Sequence, residues 1–125
     1  MASEGAGTQA VILLAHGSRD PLWSAPLRAV VEQIRLERPH VHAELAFLEL
    51  CEPDLPTATR RLVAQGVHTL TLLPAFLGMG SHARQDIPEL VARLRTEHPH
   101  LYLRLLPPAG EHPELIDLLV KLPFK

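Results

Sequence analysis

Thr69-Leu-Thr-Leu-Leu-Pro-Ala-Phe-Leu-Gly-Met-Gly-Ser-His-Ala-Arg-Gln-Asp-Ile-Pro-Glu89 reads as a buried strand, a glycine-broken loop and the start of a helix. The strand is the apolar run from Leu70 to Leu73, closed by Pro74. Gly78 and Gly80 are expected to take positive φ and to let the backbone approach a ligand closely. Asp86, with Glu89 three residues on, has the spacing of an N-cap and its N3 partner. That reading leaves His82 in the loop, just past the carboxyl end of a strand. In open parallel sheets this is where ligands bind.

Working outward, Ala10-Val-Ile-Leu-Leu-Ala15 is a continuous apolar run, the pattern of a strand buried on both faces of a parallel sheet. It ends at His16-Gly17-Ser18. The next helix starts either at Asp20-Pro21 or, because Pro26 would interrupt it, later with Ser24 as cap. Leu27, Val30, Val31 and Ile34 mark its inner face, and Pro39 stops it. Val41 to Leu48 reads as a second strand, followed by Glu49-Leu50-Cys51-Glu52-Pro53. Leu55, Ala58, Leu62 and Val63 mark a second helix, with Gly66 as its C′ residue. Ile87, Leu90, Val91 and Leu94 line the third. Leu101 to Leu106 reads as a fourth strand, and Pro113 opens a last helix with Leu115, Ile116, Leu119 and Val120 on its inner face.

The alternation β-α-β-α-β-α-β-α predicts a single doubly wound, flavodoxin-like α/β domain. The expected sheet has four parallel strands in the order 2-1-3-4, with helices on both faces. Residues 10–125 would form this domain and residues 1–9 a disordered tail. Arg38-Pro39-His40 and His98-Pro99-His100 echo each other and read as two similar surface turns.

Composition narrows the function classes. The chain has 125 residues, 46% of them hydrophobic, enough for one proper core. A formal charge of −2 gives no electrostatic case for nucleic acid or an anionic membrane. No apolar run approaches the roughly 20 residues of a membrane span, and the N-terminus lacks the pattern of a signal peptide. A single cysteine rules out an internal disulfide and suits a reducing compartment, hence a cytoplasmic protein.

In the order 2-1-3, His16, Glu49 and His82 follow three neighbouring strands. At about 4.8 Å per strand, their anchor points span roughly 10 Å, so the side chains can meet on one ion. Two imidazoles and a carboxylate suit divalent iron, cobalt or nickel. Each group can also accept a proton at neutral pH. Glu52 is close enough to take the place of Glu49. Arg19 and Arg84 either hold substrate carboxylates at helix starts or are solvated surface groups. Phe76-Leu77 can face a flat, apolar ligand; Trp23 is either core or part of the same wall. His40, His42, His68, His98 and His100 fall at the opposite edge. His112 follows strand four, a strand further out. Cys51 reads as a small buried hydrophobe.

Leu14-Ala-His-Gly-Ser-Arg-Asp20, Ala46-Phe-Leu-Glu-Leu50 and Gly80-Ser-His-Ala-Arg-Gln-Asp-Ile-Pro88 together resemble the short sirohydrochlorin chelatases of the class II chelatase superfamily. The resemblance runs from about Val11 to Leu119. It implies ATP-independent insertion of Co²⁺, or alternatively Fe²⁺ or Ni²⁺, into sirohydrochlorin, with the metal as substrate and no organic cofactor. His16 and His82 would be the metal-binding and catalytic histidines and Glu49 the joining carboxylate. The macrocycle would enter over Phe76, Leu77, Gly78, Met79, Gly80, Ser81 and Arg84. Its acidic rim would dock near Ser18 and Arg19 and at the next helix start. Longer relatives place two such domains around one cleft, so a one-domain chain implies a homodimer.

Three rivals are weaker. A phosphohistidine phosphatase needs an arginine before the histidine, where this chain has Ala15, and so lacks its phosphate clamp. A flavodoxin-type flavin site needs a longer Ser/Thr/Gly-rich loop after strand one. A metal or tetrapyrrole carrier would use the same ligands without turnover.

Overall fold

A computed structural model describes residues 8–125. Its sheet is built from β1 (Gln9–Ala15), β2 (His42–Phe47), β3 (Thr69–Pro74) and β4 (Tyr102–Leu105). The order is β2-β1-β3-β4, with every pair parallel. The expected four-stranded parallel arrangement is therefore the one adopted. The tail assigned to residues 1–9 falls mostly outside the described residues. Gln9 is already in β1, and the Thr8 carbonyl accepts from the His68 and Thr69 amides.

The two faces of the sheet are unequal. Helices α2 (Leu55–Ala64) and α3 (Ser81–Glu97) cover one face. There Ile12, Leu14, Leu70 and Leu72 pack against Leu55, Leu62, Ile87, Val91 and Leu94. Helix α1 (Ala25–Glu37) covers part of the other, where Leu13, Ala15, Leu45 and Phe47 meet Val31, Leu27 and Ile34. Val30, expected on the inner face of α1, is exposed. Helix α4 (Pro113–Lys121) has no buried residue, so Leu115, Ile116, Leu119 and Val120 do not form the expected inner face.

Local chemistry explains the element ends. Ser24 precedes α1, and Pro26 sits in its first turn, where its missing N–H costs nothing. The Asp54 carboxylate caps α2 through the Thr57 amide at 2.8 Å, and Gly66, at φ 92°, ends that segment. The joins after α1 and α3 are indeed alike. Arg38 and His98 donate to the Ile34 and Leu94 carbonyls and accept from Val41 and Leu101. Arg35 and Arg95 each reach a carbonyl eight residues on, Ala43 and Leu103, tying helix end to strand start.

The third helix corrects two expectations. It begins at Ser81 with Gly80 as N-cap, not at Asp86, and Pro88 lies inside it. An interior proline costs about 3 kcal/mol. Burial of Ala83, Ile87, Val91 and Leu94 along one continuous face offsets that penalty. Gly80 has φ −70°, and neither it nor Gly78 takes positive φ. The position that requires it is Gly17, at φ 110°.

Candidate metal-handling site at the carboxyl edge

The loops after β1 and β2 are zipped together beyond the strands. The Leu48 amide donates to Ala15 O and the Glu49 amide to His16 O, both at 2.9 Å. His16 and Glu49 are thereby set side by side by the backbone. Gly17 makes the fit possible, because a β-carbon there would run into the Glu49 carbonyl. That carbonyl also accepts from the Cys51 amide at 2.8 Å, closing a tight turn over Leu50 at φ 67°. Such a turn in a non-glycine residue is strained. Cys51 fastens the two loops: its Sγ accepts from the Ser18 amide at 3.3 Å and donates to Ser18 O at 2.9 Å. It is half-buried, and its thiol is engaged in bridging the loops.

The His16 ring stacks on Phe76, with centroids 4.3 Å apart and planes 28° apart. Phe76 is buried, so it supports the imidazole from below and does not face a ligand as expected. Leu77 beside it is 69% exposed, and Met79 packs against the core. Trp23 leans on Phe47, centroids 6.5 Å apart.

His82 is in the first turn of α3, not in the loop. At about 100° per residue, positions 82, 86, 89 and 93 share one helix face. That face completes a pocket of about 300 Å³ lined by His16, Glu49 and His82 together with Asp86, Glu89 and Arg93, over Leu48, Ala83 and Leu90. The three residues singled out from sequence thus meet at one cavity. Glu49 lines it and Glu52 does not; Arg19 and Arg84 are exposed outside its lining. Ser18, Gly78, Gly80 and Ser81 lie in the flanking loops and helix start. Asp86 and Glu89 have the spacing of a cap, which masks the face they share with His82 and Arg93. A helix begun at Ser81 would have aligned them with His82.

Three carboxylates and one guanidinium line the pocket beside two imidazoles, so its charge favours cations. His16, Glu49 and His82 are all exposed. Among the described residues no three His, Cys, Asp or Glu side chains already stand as a closed ligand set. The pocket sits where β1 has neighbours reached by crossovers in opposite directions, the switch point of the sheet. His112 is elsewhere, its Nε2 2.9 Å from Pro107 O. His68, His98 and His100 line a separate pocket at the amino edge.

The CbiX family model matches residues 10–122. The chain belongs to the CbiX family. A putative cobalamin (vitamin B12) biosynthesis CbiX protein from Marinobacter aquaeolei is 38% identical, with a TM-score of 0.77 over 90% of this chain and 94% of that one. The sirohydrochlorin chelatase SirB of Bacillus subtilis subspecies spizizenii, solved in complex with cobalt, is 29% identical. Its TM-score is 0.76, covering 90% of this chain and 48% of SirB. The sirohydrochlorin cobaltochelatase of Methanococcus aeolicus is 30% identical over 89 residues, 71% of this chain and 62% of the relative. This CbiX chain therefore aligns with less than two thirds of that archaeal relative and about half of SirB. No helix among the described residues is long and apolar enough to cross a membrane.

Proposed function

We propose that this chain inserts a divalent metal, Co²⁺ first, into sirohydrochlorin without ATP. The observation that carries the reading is the convergence of His16, Glu49 and His82 on one cation-favouring pocket at the switch point of the sheet. Membership of the CbiX family supports the same chemistry. Insertion consumes the free ion and the macrocycle and releases two pyrrole protons. The ion must be held by ligands that let go, and imidazole and carboxylate exchange more readily than a thiolate cluster would. All three side chains are exposed and line the same pocket, so each is accessible to an incoming ion. Asp86 and Glu89 add proton acceptors at the same pocket wall.

The flat macrocycle would lie over Leu77, Gly78, Met79 and Gly80. Its carboxylates would meet the first-turn amides of α3, which Gly80 leaves without a side-chain cap. Ser18, Arg19, Ser81 and Arg84 would form the rim. Cobalt is preferred over iron because archaeal relatives bear the cobaltochelatase name, although a Bacillus subtilis ferrochelatase is 30% identical over 108 residues. We place the protein in the cytoplasm as a homodimer, with residues 10–125 as its single domain.

Anaerobic incubation of substoichiometric protein with sirohydrochlorin and Co²⁺ tests the proposal. Many turnovers above the spontaneous rate are expected; a single stoichiometric burst would mean a carrier, and no acceleration would refute insertion. His82→Ala should lower the rate about 10²–10⁴-fold, the range for loss of a positioned acid–base group, with the fold retained because the side chain is exposed.

A further inference from the structure

Of the two imidazoles at the pocket, one is braced and the other is not. The His16 ring lies against Phe76, with 4.3 Å between centroids and 28° between planes. Among the described residues the His82 side chain has no hydrogen bond, ion pair or ring contact. His16 is itself exposed, and an exposed imidazole has two side-chain torsions to fix before it serves as a precise ligand. A metal binds along a ring nitrogen's lone pair, in the plane of the ring. A phenyl ring stacked on one face therefore fixes that plane and leaves the edge, with both nitrogens, clear. Groups that orient a ligating ring in this way tune the metal it holds.

Phe76 can act as a brace because it is held on every side. Its ring is buried in the core cluster that includes Ile12, Leu14 and Ile87. Just before it, the Ala75 amide donates to Leu14 O at 2.8 Å, fixing the chain where it leaves β3 beside the end of β1. Its own carbonyl accepts from the Gly110 amide at 2.8 Å. Gly110 belongs to the short turn Ala109–Glu111, between β4 and α4. A β-carbon there would strike the Leu77 carbonyl, so only glycine lets the turn come this close. The turn is stiff: Pro107 and Pro108 fix two φ angles, and the His112 ring is 2.9 Å from Pro107 O. Neither Phe76 nor Gly110 lines the pocket.

We infer that Phe76 is a positioning residue for His16, and that the turn between β4 and α4 sets its place through Gly110. The last quarter of the chain contributes no side chain to the pocket lining. It acts on a metal ligand all the same, through one backbone hydrogen bond and one ring stack. This positioning rests on the reading of His16 as a ligand and not on turnover, so binding and insertion are read apart.

Calorimetric titration with Co²⁺ alone, without sirohydrochlorin, reads the ligands directly. Phe76→Leu keeps the apolar bulk and removes the flat face. It should weaken Co²⁺ binding about tenfold, as loss of a ligand-orienting group does, and keep a cooperative melt. Phe76→Tyr, which restores the ring, should bind as wild type does. Gly110→Ala, which leaves the core side chains unchanged, should also weaken binding. It should add nothing to Phe76→Leu, because both act through the same ring. In NMR spectra of the metal-free protein, Phe76→Leu should remove the upfield ring-current shift of the His16 ring protons and leave those of His82 in place. Unchanged affinity in Phe76→Leu, or an equal loss in Phe76→Tyr, would overturn the brace. A Gly110→Ala loss that simply adds to that of Phe76→Leu would overturn the route through the turn. The expected binding pattern in a chain without turnover would refute insertion and uphold the positioning of His16.

Discussion

A methyl group on Gly17 would occupy the space of the Glu49 carbonyl, and φ 110° is itself unfavourable for any side chain. Gly17→Ala is therefore expected to cost about 1–3 kcal/mol and to part the two loops that set His16 beside Glu49. Denaturant melts together with metal-insertion rates check this; a variant with wild-type stability and rate would show that the loop contact does not matter. At the same scale, His16, Glu49 and His82 were legible because each follows one of three adjacent strands, so topology alone brings them together. Asp86, Glu89 and Arg93 were not, because Asp86 and Glu89 have the spacing of a cap and only the true helix start reveals their shared face. The role of Phe76 under the His16 ring depends on burial, which periodicity in a loop cannot report.

Elements fold here by caps and one-sided burial, and one cap carries a pH signature. Hydrogen bonds from Thr57, its side chain and then its backbone, hold the Asp54 carboxyl below its ordinary 3.8; Arg60 and Arg61 add to this, and slight burial opposes it. A depressed folded value means the stabilisation is full above the ordinary value and is lost as pH falls through the folded one. Asp54→Ala should cost about 1 kcal/mol at neutral pH, with the gap to wild type closing below about pH 4. Melts at both pH values check the sign, and a gap that widens in acid would contradict it. The strands and three of the helices were readable from apolar period and punctuation. The start of α3 was misread because packing of Ile87, Val91 and Leu94 overrides the local preference of Pro88. The exposure of α4 was hidden because an apolar arc announces burial without saying against what.

At the scale of the molecule, strand order does the functional work. With β1 between β2 and β3, three chain-distant segments deliver two imidazoles and a carboxylate to one edge, and α3 adds a wall of charge. The fold was legible because parallel strands with helical crossovers allow few orders. The unequal cover of the two faces was not, since it depends on where α4 points. The convergence itself is most directly tested by cobalt anomalous scattering from crystals soaked anaerobically in Co²⁺. One peak is expected, within ligand distance of His16, Glu49 and His82. Cobalt bound instead at His68, His98 and His100, or away from the pocket, would contradict the site and the chemistry assigned to it.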